Sequence, residues 1–236
     1  MGLYDAIFTR KSVHKFAPEP LADDVVATIS DFLQRIDQLP GGTVRLEIAG
    51  PDAVTDSSAP HYVLAWCEPT DAEYINTGYV LQAADLYIRD LGLGTHWKAM
   101  PRLRRDDPHP HGLHYSNLLA FGTTNEPMRA GEADFKRLPI TTISNADNPV
   151  ARAARLAPSG LNDQPWRLEF GDGVIRITQT PRGALRALTK RSDKLSLGAL
   201  LRHVTVALDH EGTPVRAVDI DTSAKRAILT VYLGQA

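Results

Sequence analysis

Cysteine occurs once in this chain, at Cys67, so no intrachain disulfide can staple it and the fold must rest on packing. Cys67 lies in an apolar run, Tyr62 to Trp66, and reads as a buried, inert thiol. No apolar run reaches membrane-spanning length, and the first residues lack a charged-then-apolar leader, so the expected location is the cytoplasm. Charge of neither sign is in surplus. The 26 Lys and Arg against 28 Asp and Glu leave a formal −2, without the basic excess that marks a nucleic-acid-binding chain. Also missing are a Walker lysine loop, a GxGxxG fingerprint, an HExxH helix and a GxSxG elbow, which removes the usual sequence grounds for an NTPase, a Rossmann dehydrogenase, a zinc protease or an α/β-hydrolase. Asp106, Asp107, His109, His111 and His114 have metal-type side chains, but Pro108 and Pro110 hold that stretch extended, and no metal is expected there.

What is present is ample apolar content, 43% of 236 residues, enough for one large or two small domains. Leu3 to Phe8 reads as a short docked helical run. Val25, Val26, Ile29, Phe32, Leu33, Ile36 and Leu39 recur at helical steps behind Asp23 and Asp24, and Pro40-Gly41-Gly42 stops them. Val44, Leu46 and Ile48 alternate as a half-buried strand, and His61 to Trp66 reads as a more fully buried one. A long helix follows from Asp71 to Leu91 with Gly78 inside it, which suggests a close crossing with another backbone because glycine costs about 1 kcal/mol there. Gly92-Leu93-Gly94-Thr95 closes that helix, and Asn117 to Gly122 is the third strand of this half.

The second half retraces the first. Arg45-Leu46-Glu47-Ile48 is echoed by Arg167-Leu168-Glu169-Phe170, and Leu195 to Glu211 is again a long apolar helix with Gly198 inside it. Gly78 to Gly92 and Gly198 to Gly212 both span fourteen residues. The last strand, Ile228 to Leu233, mirrors Leu118 to Phe121. These coincidences in one order predict an α+β fold of two halves, 1–140 and 141–236, related as a pseudo-dimer within one chain.

Between the halves' regular elements lies Ala157-Pro158-Ser159-Gly160-Leu161-Asn162-Asp163-Gln164-Pro165-Trp166, a helix-to-strand loop with two prolines, a glycine and two side-chain amides. It resembles the APSGxNxQPW element of the FMN-dependent nitroreductase superfamily, and Arg10-Lys11-Ser12-Val13-His14-Lys15-Phe16 resembles that superfamily's RxSxRxF segment. The closest likeness is to its single-chain, internally duplicated branch. In the ordinary family the two elements meet across a subunit interface; here they sit in opposite halves of one chain. The resemblance implies one FMN per chain, a monomer with at most a weak dimer, and NAD(P)H as reductant in a ping-pong hydride transfer to a nitroaromatic, quinone or similar small-molecule acceptor. It implies Arg10 and Ser12 at the flavin phosphate with Arg137 as a second phosphate-binding arginine, Lys11 either at the flavin or facing water, and Pro158, Ser159, Gly160, Asn162 and Gln164 at the ring and ribityl chain. Gly94 and Thr95 would offer backbone toward the ring, and Trp166 would line the cavity. His14 stands where the family has Arg or Lys, and its charge near the ring would be present only toward acidic pH. The flavin would carry the reaction, leaving no catalytic side chain of the protein's own. The alternative is a flavin-binding or storage scaffold without turnover, or one that has lost flavin.

Overall fold

The computed structural model describes residues 2–55, 58–98, 103–104, 112–181 and 189–234. The stretch containing Asp106, Asp107, His109 and His111 lies outside the described residues. In chain order the elements are α1 (Leu3–Thr9), α2 (Asp23–Arg35), β1 (Arg45–Ala49), β2 (His61–Cys67), α3 (Asp71–Asp90), β3 (Gly94–Lys98) and β4 (His114–Gly122). They continue with α4 (Ile140–Ile143), α5 (Pro149–Arg155), β5 (Trp166–Gly171), β6 (Val174–Gln179), α6 (Lys190–His210), β7 (Val215–Asp221) and β8 (Ile228–Leu233). Two four-stranded antiparallel sheets result, ordered β1-β2-β4-β3 and β5-β6-β8-β7, so each half places its long helix and its strands in the same sequence.

The two long helices tie the halves together. α3 starts where the Thr70 hydroxyl accepts the Glu73 N–H at 3.2 Å, and both α3 and α6 are buried over most of their length, which is why they lack a clean polar face. They cross at Gly78 and Gly198. A methyl group on Gly78 would lie 2.0 Å from the Leu195 carbonyl oxygen, and one on Gly198 only 1.9 Å from that of Ile75. The close crossing expected from Gly78 is therefore present, and its partner is the matching glycine of the other half. One apolar core runs through both halves, including Ile7, Leu81 and Leu86 from the first and Leu156, Leu168 and Leu200 from the second. β2 is buried on both faces because a second cluster, with Val54, Tyr62, Leu64 and Leu118, fills its far side. Burial pushes the Cys67 thiol up, in keeping with an inert group.

Two readings need correction. The helical pattern that continues to Leu39 in the sequence ends in the structure at Arg35, with Ile36 extended. Tertiary bonds capture the next residues: Asp37 accepts from Arg202 and from the Tyr79 hydroxyl, both at 2.8 Å, and the Leu39 N–H donates to Asn76 Oδ1 at 3.0 Å. The strands β3 and β7 were not expected, and Gly94 and Thr95 belong to β3 rather than to a helix end. Both are edge strands. Pairing on one side only leaves β7 largely exposed, and a bulge between Val215 and Ala217 breaks its alternation.

The glycine crossing yields a direct test. Gly198→Ala would gain about 1 kcal/mol of helix propensity at an open position, but here the methyl must displace backbone. The expected outcome is a net loss on the order of 2–4 kcal/mol in urea unfolding. Unchanged stability would mean the helices do not approach this closely.

Candidate functional site

The segment after α1 is the first wall of the site. At Arg10 the chain leaves the helix and runs beside β3, with Ser12 bridged in parallel to Thr95 and the Val13 N–H donating to the Thr95 carbonyl at 2.8 Å. Gly94 makes this approach possible, since a methyl there would lie 2.9 Å from Val13 Cγ2. Arg10 is only 2% exposed, and its Nε stands 2.8 Å from Asp85 Oδ2 on α3. Asp85 is itself fully buried and also accepts from the Thr95 hydroxyl and from Trp97 Nε1. A carboxylate out of water is tolerable only with such partners, so this set of bonds fixes Arg10 from below.

Next along the segment, Glu126 takes the Lys11 ammonium at 2.9 Å and the backbone N–H groups of His14 and Lys15 at 2.7 Å each. The Lys11 hydrogen bond, then the His14 N–H, hold its carboxyl down to about 2. The His14 ring is exposed and stands edge-on to His96, 4.6 Å between centroids; His96 Nδ1 donates to the Val13 carbonyl at 2.9 Å.

The second wall is the loop after α5. Leu161, Asn162 and Gln164 all have positive φ, of 53°, 59° and 48°, a region that L residues enter at a cost of roughly 1–2 kcal/mol each. Internal bonds hold it. Gly160 donates its N–H to Ser196 Oγ at 3.2 Å, and Ser159 Oγ accepts the Gln164 N–H at 3.0 Å. Asn162 donates to the Lys136 carbonyl at 2.8 Å and accepts from Arg137 Nη1 at 2.6 Å. Gln164 Oε1 accepts the Leu138 N–H at 2.9 Å while its Nε2 donates to the Asn162 carbonyl at 3.1 Å. Both amides thus staple residues 136–138 to the loop. Pro158 is half-buried beside them, whereas Trp166 is fully buried in the main core.

Those staples deliver Arg137 to the junction of the two walls, and other arginines gather around it. Arg137 Nη2 donates to the Leu156 carbonyl at 3.1 Å. Arg129 Nη1 donates to the Arg10 carbonyl, and its guanidinium lies 4.0 Å over the Phe135 ring. Arg155 pairs with Glu132 at 2.8 Å. Burial first, then the like charges of Arg10, Arg129 and Arg155, push Arg137 down to about 9. Arg10 Nη2 and Arg137 Nε are buried without a hydrogen-bond partner. Crowded cations with unused donors suit an anion of more than one charge, and a phosphate monoester is such a group.

Beneath them His203 is fully buried. Its Nδ1 donates to the Ala153 carbonyl at 2.9 Å and its Nε2 accepts from Gln82 Nε2 at 3.1 Å, which makes it neutral. Asp85, Arg129, Phe135 and His203 were not singled out from the sequence. Asp85 and His203 did carry a signal, a polar residue inside an apolar helix, but Arg129 and Phe135 carried none. Among the described residues no group of three or more His, Cys, Asp or Glu could hold a metal. A separate cavity of about 280 Å³ between the end of α2 and β1, lined by residues including Leu33, Ile36, Val44 and Val80, shares no lining residue with the arginine cluster.

Residues 2–208 match the family model described as "Putative TM nitroreductase". A "putative nitroreductase" from Thermotoga maritima superposes with a TM-score of 0.68, at 22% identity over 100% of this chain and 95% of that one. A nitroreductase family protein from Clostridium difficile covers 63% of this chain and 99% of its own at 18% identity and TM-score 0.48. A nitroreductase with bound FMN from Desulfitobacterium hafniense covers 59% and 100% at 14% identity and TM-score 0.43. No curated protein matches the chain.

Burial and the neighbouring cations Arg10 and Arg137 hold His203 down to about 3, against about 6.5 for an unfolded histidine. Between those values the unfolded chain binds the extra proton, so stability is fully present above about pH 6.5 and is lost as pH falls toward 3. Urea unfolding of a His203→Gln variant should show a stability slope between about pH 4 and 6 that is shallower by about 1.4 kcal/mol per pH unit. An unaltered slope would place the responsible proton elsewhere.

Proposed function

Because the chain belongs to the family described as "Putative TM nitroreductase", we propose that it is an FMN-dependent NAD(P)H oxidoreductase carrying one FMN per chain. The observation that carries this reading is Arg137, a half-buried guanidinium crowded by three others, with unpartnered donors on both it and Arg10. A flavin phosphate brings close to two negative charges and acceptor oxygens to such donors. Arg10 and Arg137 hold that phosphate, with the Ser12 backbone beside them on the edge of β3. The stiff 158–164 loop sets the cofactor's orientation, and the exposed His14 ring stands at the rim of the site.

The chemistry bound FMN supplies is hydride acceptance from NAD(P)H and hydride donation to a nitroaromatic, quinone or similar acceptor, in a ping-pong cycle. The protein's residues then bind, orient and tune, without a side chain that enters a bond. The arginine-bearing segment occurs once and the amide-bearing loop occurs once, in opposite halves, which supports a single site and a chain that works as a monomer. In this reading residues 1–140 and 141–236 stand for the two subunits of an ordinary dimer. No described helix is long and apolar enough to cross a membrane, and the reading places the enzyme in the cytoplasm.

Titration of the purified chain with FMN, followed by anaerobic addition of NADH or NADPH, tests the reading. One FMN per chain and bleaching of the flavin spectrum are expected. Arg137→Gln should weaken FMN binding roughly 100-fold, the worth of a charge-assisted contact pair. Uptake of FMN without bleaching by either nucleotide would favour the storage alternative, and a chain that takes up no FMN sinks the proposal.

A further inference from the structure

Arg129 has no counterpart in either recognised motif, yet the structure ties it to Arg10. Its backbone N–H donates to the Thr9 carbonyl at 3.3 Å and its guanidinium donates to the Arg10 carbonyl, so it is tied to the residue that begins the first wall. Phe135, only 5% exposed, presents its ring to two guanidiniums, with Arg129 at 4.0 Å and Arg137 at 5.5 Å from the centroid. Cation–π attraction favours each arginine on that ring, while their like charges oppose bringing them together. Three guanidiniums, Arg10, Arg129 and Arg137, therefore converge; of these Arg10 is ion-paired, with Asp85, while Glu132 pairs with Arg155 outside the trio. The Asp134 carboxylate accepts the Ala130 N–H at 2.7 Å, and its charge is felt at Arg129.

We infer that Arg129, which shares the Phe135 ring with Arg137, is a third phosphate-binding cation that makes the site select a phosphorylated flavin over its unphosphorylated form. The inference rests on the flavin reading above and adds to it a specificity residue and a positioning residue. Burial and the Arg10 charge both disfavour the Arg129 cation, and the Asp134 carboxylate offsets them only in part. A dianion reverses the second of these effects, so phosphate binding gains at Arg129 what the free protein loses. A riboflavin ring and ribityl chain offer no such charge, and their binding is indifferent to Arg129.

Dissociation constants for FMN and riboflavin, read from flavin fluorescence, test the inference without any turnover. Arg129→Gln should weaken FMN about 10- to 100-fold, the range for a lost charge-assisted hydrogen bond, and leave riboflavin within about twofold. Arg129→Lys, which keeps the charge but not the flat fork, should recover part of the loss. Phe135→Leu should weaken FMN selectively by a smaller factor, because it keeps apolar bulk but removes the ring face. If the wild-type chain binds FMN and Arg129→Gln weakens both flavins equally, or neither, the inference fails while the flavin reading stands. If the wild-type chain binds neither flavin, both fail.

Discussion

The structure depends on the contact between Gly78 and Gly198. With no side chain on either helix at the crossing, α3 and α6 pack backbone to backbone, and each glycine's missing methyl is the space the other helix occupies. Such an approach excludes water and aligns two helices that come from different halves. It also brings buried polar side chains on those helices within hydrogen-bond reach. Gln82 of α3 reaches His203 of α6, and Arg202 of α6 reaches Asp37 beyond α3. A helix pair held further apart would leave these groups facing each other across a gap, at the cost of unpaired buried polar atoms.

From that frame the candidate site is assembled by contributions that are remote in sequence. Asp85 on α3 fixes Arg10; the amides of Asn162 and Gln164 fix Arg137 by clamping the chain on both sides of it; the Phe135 ring takes both Arg129 and Arg137. The loop carries three residues in a costly backbone region, and its bonds to Ser196, Lys136 and Leu138 offset that cost. Strain confined to the segment that meets a cation cluster is the pattern expected where geometry is held for a ligand.

Much of the fold was legible because its pattern is strong. The unbroken apolar run of β2, the long helices and the repeated order of elements all survive in the structure. The end strands β3 and β7 were not, since β7 is paired on one side only and need not alternate, and the outer side of β3 meets residues 12 and 13, far away in sequence. The end of α2 was misread for a different reason: residues 36–39 keep the helical spacing of apolar side chains, but Asp37 and Leu39 find their partners on α3 and α6.

The site divides in the same way. The two motifs, Arg10 to Phe16 and Ala157 to Trp166, and the residue types within them are properties of the sequence. Asn162 and Gln164 were legible as amides, but their bonding to residues 136–138 was not, because hydrogen-bond partners separated by some 25 residues leave no local signature. The sequence alone determined the composition of each wall and the glycines that allow the helices to meet. Only the tertiary structure decided that Arg10, Arg129 and Arg137 converge, with unpartnered donors on Arg10 and Arg137, since the position of a buried charge is set by the partners that the packed chain brings to it.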